Sequence, residues 1–217
     1  MNGLIVHGYF RSSAAYRLRI AMNLKGLAPG FRSVHLRRGD QRTDTYRSLN
    51  PQGLVPALET GDGAVLTQSL AIIEWLDETH PTPPLLPRDP LGRAHARAFA
   101  QVIACDIHPL QNLRVLRYLK ARFGQDQDGL DAWCRHWIEP GLAACEALLA
   151  GGPEAAFAFG DAPGLAEICL VPQMASADGF GLDLAPFPRL RALRGRCEAL
   201  PAFADAHPSK QPDAEAD

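Results

Sequence analysis

Arg11-Ser12-Ser13 places a guanidinium and two hydroxyls where a short apolar run gives way to a helix-like stretch. A helix N-terminus carries unpaired N–H groups and about half a positive charge, so it favours an anion, and a serine hydroxyl can donate to the same anion. The alternative is that the serines only cap the helix. Gln68-Ser69 repeats the pattern ahead of a second helical stretch, where the Ser69 hydroxyl and first-turn N–H groups could hold a carboxylate or Ser69 could simply cap. Val55-Pro56 offers backbone chemistry instead. X-Pro is the bond at which cis peptides occur, and a cis Pro56 would present the Val55 backbone to a ligand; a trans proline opening a strand is the commoner arrangement.

The elements that must position these residues read as follows. Leu4 to Phe10 is an apolar run of strand length, followed by a helix capped at Ser12 or Ser13, with an apolar stripe of Leu18, Ala21, Met22 and Leu24 and a stop near Gly26. Phe31 to Leu36 predicts a second strand, making a βαβ unit with parallel strands. Ligands gather at the carboxyl ends of strands in such sheets, which favours the functional reading of Ser12 and Ser13. A short helix is expected within Arg37 to Arg47, ending before Asn50-Pro51. Residues 55–59 and 64–67 flank Thr60-Gly61-Asp62-Gly63 and predict a hairpin; a third helix follows with Ser69 as its N-cap.

Residues 81–90 contain five prolines and mark a linker between a domain over 1–80 and a second over 91–217. Beyond it the strand signals vanish. Residues 91–122, 128–150, 164–180 and 188–199 predict helices, so the fold class is α/β followed by all-α. Pro109 should interrupt the first of these and expose backbone carbonyls beside His108, Gln111 and Asn112. The polar tail after Pro208 is expected to fray.

Composition narrows the function. The chain has 217 residues, 47% of them hydrophobic, and 22 basic against 24 acidic side chains. That length and apolar fraction can bury a sizeable core, and the balanced charge gives no footprint for nucleic acid or an acidic membrane surface. A small diffusible partner fits better. No apolar stretch approaches the length of a membrane span, and Arg11 comes too early for a secretory apolar region, so a cytoplasmic protein is expected. The five cysteines, Cys105, Cys134, Cys145, Cys169 and Cys197, are widely spaced without a C-x-x-C, which argues against disulfides and against a metal site and predicts mostly buried free thiols.

Taken together, Ser12-Ser13, Asn50-Pro51 with Val55-Pro56, the run Gln68 to Glu74, Pro81-Thr82-Pro83 with Leu85-Leu86-Pro87, Pro109 to Asn112, Cys169 to Gln173 and Gln211-Pro212-Asp213 resemble the zeta-class glutathione transferases. That class includes the maleylacetoacetate and maleylpyruvate isomerases. The resemblance spans nearly the whole chain. It implies a thioredoxin-like N-terminal domain that binds glutathione, a helical domain that shapes the second-substrate pocket, and a homodimer. By motif position it implies that Ser12 holds the glutathione sulfur as thiolate, with Ser13 beside it. Val55 before a cis Pro56 would pair with the cysteinyl backbone, and Gln68 with Ser69 would hold the γ-glutamyl carboxylate. Gln41, His108 and Asn112 stand at further glutathione contacts. Arg11, Arg114 and His108 become candidates for a dianionic substrate, because guanidinium groups suit carboxylates. Arg11 and Arg114 read equally as solvated charges, and His108 as a histidine bonded to a carbonyl freed at the kink. Arg17 and Arg19 read as structural or exposed.

The implied activity is isomerisation of a maleyl keto acid to its fumaryl isomer, with the glutathione thiolate adding reversibly to the cis double bond. The alternatives are a transferase acting on haloacids or other electrophiles, and a non-catalytic glutathione-binding module. Three departures bear on this. Ala14 stands where the class commonly has cysteine, His108 replaces a glutamine of the animal enzymes, and Gly179 precedes Phe180 where an arginine is expected.

Overall fold

The computed structural model describes residues 3–151 and 155–215. Its elements run β1 (Ile5–Gly8), α1 (Ser13–Leu24), β2 (Gly30–Ser33), α2 (Asp44–Leu49), β3 (Ala57–Glu59), β4 (Val65–Thr67), α3 (Ser69–Thr79), α4 (Pro90–Gln101), α5 (Leu113–Phe123), α6 (Gln127–Ala150), α7 (Leu165–Gly179), α8 (Pro188–Glu198) and α9 (Pro201–Ala204). They form two compact units. One runs to Pro84 and takes in the chain from Ala199 onward; the other is Leu85–Glu198.

The first unit is a four-stranded sheet in the order β2-β1-β3-β4. β1 pairs parallel with β2, and β3 pairs antiparallel with both β1 and β4. This is the expected βαβ unit and hairpin, in the order of a thioredoxin-like domain. Helices α1 and α3 bury Leu18, Ile20, Ala21, Ile72, Ile73 and Leu76 almost completely. Two polar ties join α1 to α3. Lys25 Nζ, its side chain fully buried, meets Asp77 Oδ1 at 2.6 Å, and Arg17 Nη1 reaches Ser69 Oγ at 3.5 Å. Breaking a buried ion pair leaves an uncompensated charge, so the first tie fixes the relation of the two helices more than its net stabilisation suggests.

One expectation is narrowed here and another corrected. Of the structural and exposed readings of Arg17 the structural one holds: at 1% exposure it is the largest side chain of the core, carried inward on the same face as Leu18 and Ala21. The described tail, to Glu215, does not fray. Ala199 onward belongs with the first unit, and Asp213 and Glu215 accept hydrogen bonds from Phe10, Ser33, His35 and Arg38. A polar, proline-bearing sequence suggests disorder only when its acids lack partners.

The second unit is helical throughout its described elements. The interruption expected at Pro109 is a change of helix type: α4 passes into a π-helical stretch, Val102–Ile107, then a 3₁₀ turn, His108–Gln111, before α5. Proline has no N–H to donate, and a π-bulge absorbs the mismatch. Trp133 Nε1 of α6 donates to the Leu110 carbonyl at 2.8 Å, and Gln111 Nε2 donates to Gln173 Oε1 of α7 at 2.7 Å, so this segment is held from two helices. Ile107 fills the gap left by Gly141 on α6, where an added Cβ would lie 2.3 Å from the Ile107 side chain. Gly141→Ala should therefore lower stability by about 1–3 kcal/mol, read from the midpoint of urea unfolding. An unchanged midpoint would show that Ile107 swings aside without cost.

Candidate functional site

Strand register brings the three sequence motifs of the first unit to one end of the sheet. His7 stands opposite Ala57, and Ala57 opposite Thr67. The end of β1, the start of β3 and the end of β4 therefore coincide, and α1 and α3 both begin there. Neither helix has an acidic residue in its first turn, so the partial positive charge of both N-termini is left for a ligand.

Ser12 is the N-cap of α1 and accepts the Ala15 N–H at 3.2 Å. Capping uses a lone pair of the hydroxyl and leaves its hydrogen to donate, so the cap and the ligand readings are compatible. Ser13 is the first residue of the helix, half-buried, and Arg11 is exposed with its guanidinium 5.2 Å from the centre of the Phe10 ring.

At α3 the expected N-cap, Ser69, is corrected by one residue. Gln68 is the cap, at φ 68° and ψ 114°, and Ser69 opens the helix. No other described non-glycine residue has a positive φ. Such a conformation costs about 1–3 kcal/mol and is found where surrounding structure and function require it. Its effect is to turn the Gln68 side chain away from the helix end: the amide makes no capping bond and donates instead to Gln52 Oε1 at 2.8 Å. The first-turn N–H groups of α3 thus receive no cap from Gln68. Buried Ser69 accepts from Arg17, which places a buried positive charge behind the hydroxyl.

The Val55-Pro56 bond is cis, as is Thr82-Pro83. Strand pairing begins at Ala57, so the Val55 backbone lies off the ladder. The preceding peptide is fixed by two donors: Tyr46 Oη and Asn50 Nδ2 both reach the Leu54 carbonyl, at 2.7 and 2.8 Å. Burial pushes the Tyr46 phenol up to about 12, so it stays a donor across the physiological range. Tyr46 and Asn50 were missed as positioning groups; the Asn-Pro pair was the available signal. Arg17 was missed as well, because its sequence gives no sign that the helix face bearing it is buried.

Gln41 is 7% exposed. Its Nε2 donates to the Leu36 carbonyl at 3.3 Å, and its Oε1 is buried with no protein partner. An orphaned acceptor beside a ligand site fits a donor on the ligand. The Ser12-capped N-terminus of α1, the N-terminus of α3 without a side-chain cap, hydroxyls at Ser12 and Ser69, an off-ladder backbone at Val55 and the Gln41 acceptor together suit an anionic, peptide-like molecule.

The remaining candidates belong to the second unit. His108 is half-buried and opens the 3₁₀ turn. Asn112 is the N-cap of α5, with Oδ1 accepting the Arg114 N–H at 3.1 Å, and Arg114 is exposed in the first turn of that helix. Four of the five cysteines, Cys134, Cys145, Cys169 and Cys197, are buried, and burial pushes Cys134 and Cys145 up to about 12; Cys105, in the π-helical stretch, is exposed. Among the described residues no His, Cys, Asp and Glu cluster could hold a metal ion, and no helix is long and apolar enough to cross a membrane.

Replacing Gln41 by Met should leave stability within about 1 kcal/mol, since it removes an orphaned acceptor along with a long hydrogen bond. It should weaken glutathione about tenfold in calorimetric titration; undiminished affinity would remove Gln41 from the site.

Residues 11–79 match the model of the N-terminal domain of glutathione S-transferases. The chain is 49% identical over 209 residues to a maleylpyruvate isomerase of Ralstonia, covering 96% of this chain and 98% of that one. It is similar, at TM-score 0.95 and 48% identity over 97% of this chain and 100% of the other, to the holo structure of maleyl pyruvate isomerase, described as a bacterial glutathione S-transferase of the zeta class. It is also similar to a maleylacetoacetate isomerase from Anaeromyxobacter dehalogenans with dicarboxyethyl glutathione and citrate in its active site, at TM-score 0.87 and 43% identity, over 98% of this chain and 94% of the other. With the sheet, the two helix N-termini at one end of it and the helical unit as described, the chain belongs to the zeta class of the glutathione transferase family.

Proposed function

We propose that the protein isomerises a maleyl keto acid, maleylacetoacetate or maleylpyruvate, to the fumaryl isomer with glutathione as cofactor. The observation that carries this reading is the pair of uncapped or hydroxyl-bearing helix N-termini at one end of the sheet, free of acidic side chains. Support comes from the relatives named as these isomerases, and from one whose site holds glutathione carrying a dicarboxyethyl group, the kind of group that addition to a maleyl-type diacid would leave.

A carbon–carbon double bond does not rotate until its π character is removed, and bound glutathione supplies the thiolate whose reversible addition does so. The chain's task is to bind, ionise and orient. Ser12 donates its hydroxyl hydrogen toward the sulfur while the α1 dipole favours negative charge there. An unperturbed thiol titrates near about 8.5, so a depression of one to two units raises the thiolate fraction at neutral pH about tenfold. Ser13 adds its N–H and hydroxyl at the same turn. Val55 pairs with the cysteinyl backbone, Pro56 shaping its approach, and Gln68 with Ser69 takes the γ-glutamyl carboxylate, Arg17 lying behind it. Gln41 accepts from the peptide, and Asn112 and His108 are the helical unit's contacts. Arg11 and Arg114 recognise substrate carboxylates and oppose the negative charge that develops during addition. With Gly179 in place of the expected arginine, these two bear more of that recognition. The reading carries with it a homodimer and a cytoplasmic location; buried free thiols suit a reducing compartment.

Purified protein given a maleyl keto acid should form the trans product only with glutathione present, in substoichiometric amount. No dependence on glutathione would refute the mechanism, and a stable thioether in place of the trans acid would identify a transferase. Ser12→Ala should lower kcat at least about tenfold and move the pH profile of kcat upward by about one unit. Arg11→Ala and Arg114→Ala should raise substrate KM about tenfold with a smaller change in kcat. Unchanged kinetics in all three would show that other residues do the work.

A further inference from the structure

The chain after Ala199 joins the first unit, and the proposed chemistry makes no use of it. It reaches the loop that bears Arg11 and Ser12. Ser12 N–H donates to the Tyr9 carbonyl at 3.0 Å, closing a turn whose central residues are Phe10 and Arg11. Both peptides flanking Phe10 are then held by groups that the C-terminal segment supplies or fixes. Asp213 Oδ2 accepts the Phe10 N–H at 3.1 Å and also the Ser33 hydroxyl at 3.0 Å, tying the turn to the end of β2. Arg19 Nη2 donates to the Phe10 carbonyl at 3.1 Å, while its Nε donates to the Ala206 carbonyl at 2.9 Å. Phe10 is 4% exposed and Ala206 1%, and the bonds to Phe10 and Ala206 are part-buried, whereas that from Ser33 is exposed. Glu215, accepting from His35 at 3.2 Å and Arg38 at 2.7 Å, pins the segment beyond Asp213.

Asp213 is an expensive way to secure a turn. Its Oδ1 is buried with no protein partner, and a buried carboxylate oxygen left unmet costs stability. The charge is balanced in part by Arg19, whose guanidinium burial lowers to about 10 against the opposing field of Asp213. An acid retained on such terms has its return in what it orients.

We propose that Asp213 is a positioning residue for Ser12: by holding the Phe10 amide it sets the Tyr9–Ser12 turn, and with it the hydroxyl that faces the cofactor's sulfur. This rests on the reading of Ser12 as the sulfur's donor. A hydrogen bond weakens steeply with misalignment, so a loosened turn would cost thiolate stabilisation before it cost binding, because the glutathione backbone and carboxylates are held elsewhere.

Two readouts separate this from a merely structural role. In glutathione-free protein, Asp213→Ala should speed hydrogen exchange of the Phe10 and Ser12 amides at least about tenfold relative to β1. In the glutathione complex, titration of thiolate ultraviolet absorbance should show the thiol raised by about one unit. kcat should fall about tenfold while glutathione KM changes less than about threefold. Asp213→Asn keeps an acceptor oxygen and should recover most of both effects, and it serves in place of the alanine variant if that fails to fold. Glu215→Gln, which leaves the Phe10 bond intact, should behave as the parent. Parental exchange at Phe10 and a parental thiol in Asp213→Ala would overturn the proposal. If Ser12→Ala also leaves the thiol unmoved, the Ser12 reading itself fails; if Ser12→Ala moves it and Asp213→Ala does not, only the positioning role fails.

Discussion

Because β3 runs antiparallel to both β1 and β4, the end of β1, the start of β3 and the end of β4 share one edge, and α1 and α3 are obliged to begin there. The positive ends of two helices, α1 capped by Ser12 and α3 without a side-chain cap, therefore lie at the same end of the sheet. Other features of the first unit are accommodations to that convergence. Neither helix opens with an acid, which would satisfy the dipole and repel an anion. Gln68 adopts a costly backbone conformation and so leaves the α3 terminus without a side-chain cap. The buried Lys25–Asp77 pair and the Arg17–Ser69 contact hold α1 and α3 together along their length, so the two ends cannot drift apart independently.

The chemistry of sulfur follows the same logic. Cys134, Cys145 and Cys197 sit in surroundings that penalise their charged forms, and Ala14 removes the thiol that the class commonly carries at the first helix. Four of the five thiols are buried away from the α1 N-terminus, so on the proposed reading the reactive sulfur is the cofactor's and not the chain's own. A diffusible thiol has an advantage over a fixed one in a reversible addition. Its nucleophilicity is tuned by the pocket, and it can be exchanged if it becomes trapped on an electrophile.

Local physics made much of this legible before any coordinates. The order of the strands, the Gly61-Asp62-Gly63 hairpin, the cap at Ser12 and the break at Pro109 are each encoded within a few residues, so periodicity and turn chemistry suffice, whereas the strands themselves are shorter than their apolar runs and the cap at Asn112 shows only in the folded chain. What escaped was set at long range. Arg17 reads as either structural or exposed until its contact with Ser69 of α3 decides for the buried arrangement. The true cap of α3 lies one residue before Ser69 because Gln68 can be forced to a positive φ only by tertiary structure. The tail looked unstructured because its acids find donors in residues about 180 to 200 positions earlier, and no window along the sequence contains both partners. Motif resemblance supplied the candidate site residues and named Asn50 and Asp213 as motif positions, whereas what Tyr46, Asn50 and Asp213 hold in place is visible only in their hydrogen bonds.

The buried polar atoms that lack protein partners complete the argument. Gln41 Oε1 and Asp213 Oδ1 lie in the first unit, and Gln111 Oε1 and Gln173 Nε2 flank the 3₁₀ turn of the second. Folding alone would favour apolar replacements at each, since an unmet buried group costs about 1–3 kcal/mol and gives nothing back. They occur at or next to the segments that carry the candidate residues: the loop before Asn50, the turn before Ser12, and the stretch that ends in Asn112. Gln111 is instructive because its amide is spent on Gln173, fixing the turn from which Asn112 caps α5 and Arg114 follows in its first turn. The unit thereby accepts a partly unsatisfied polar centre beside the start of α5. On the proposed reading, stability is given up in both units where an acceptor or a helix end has to be held still for something that arrives from solution.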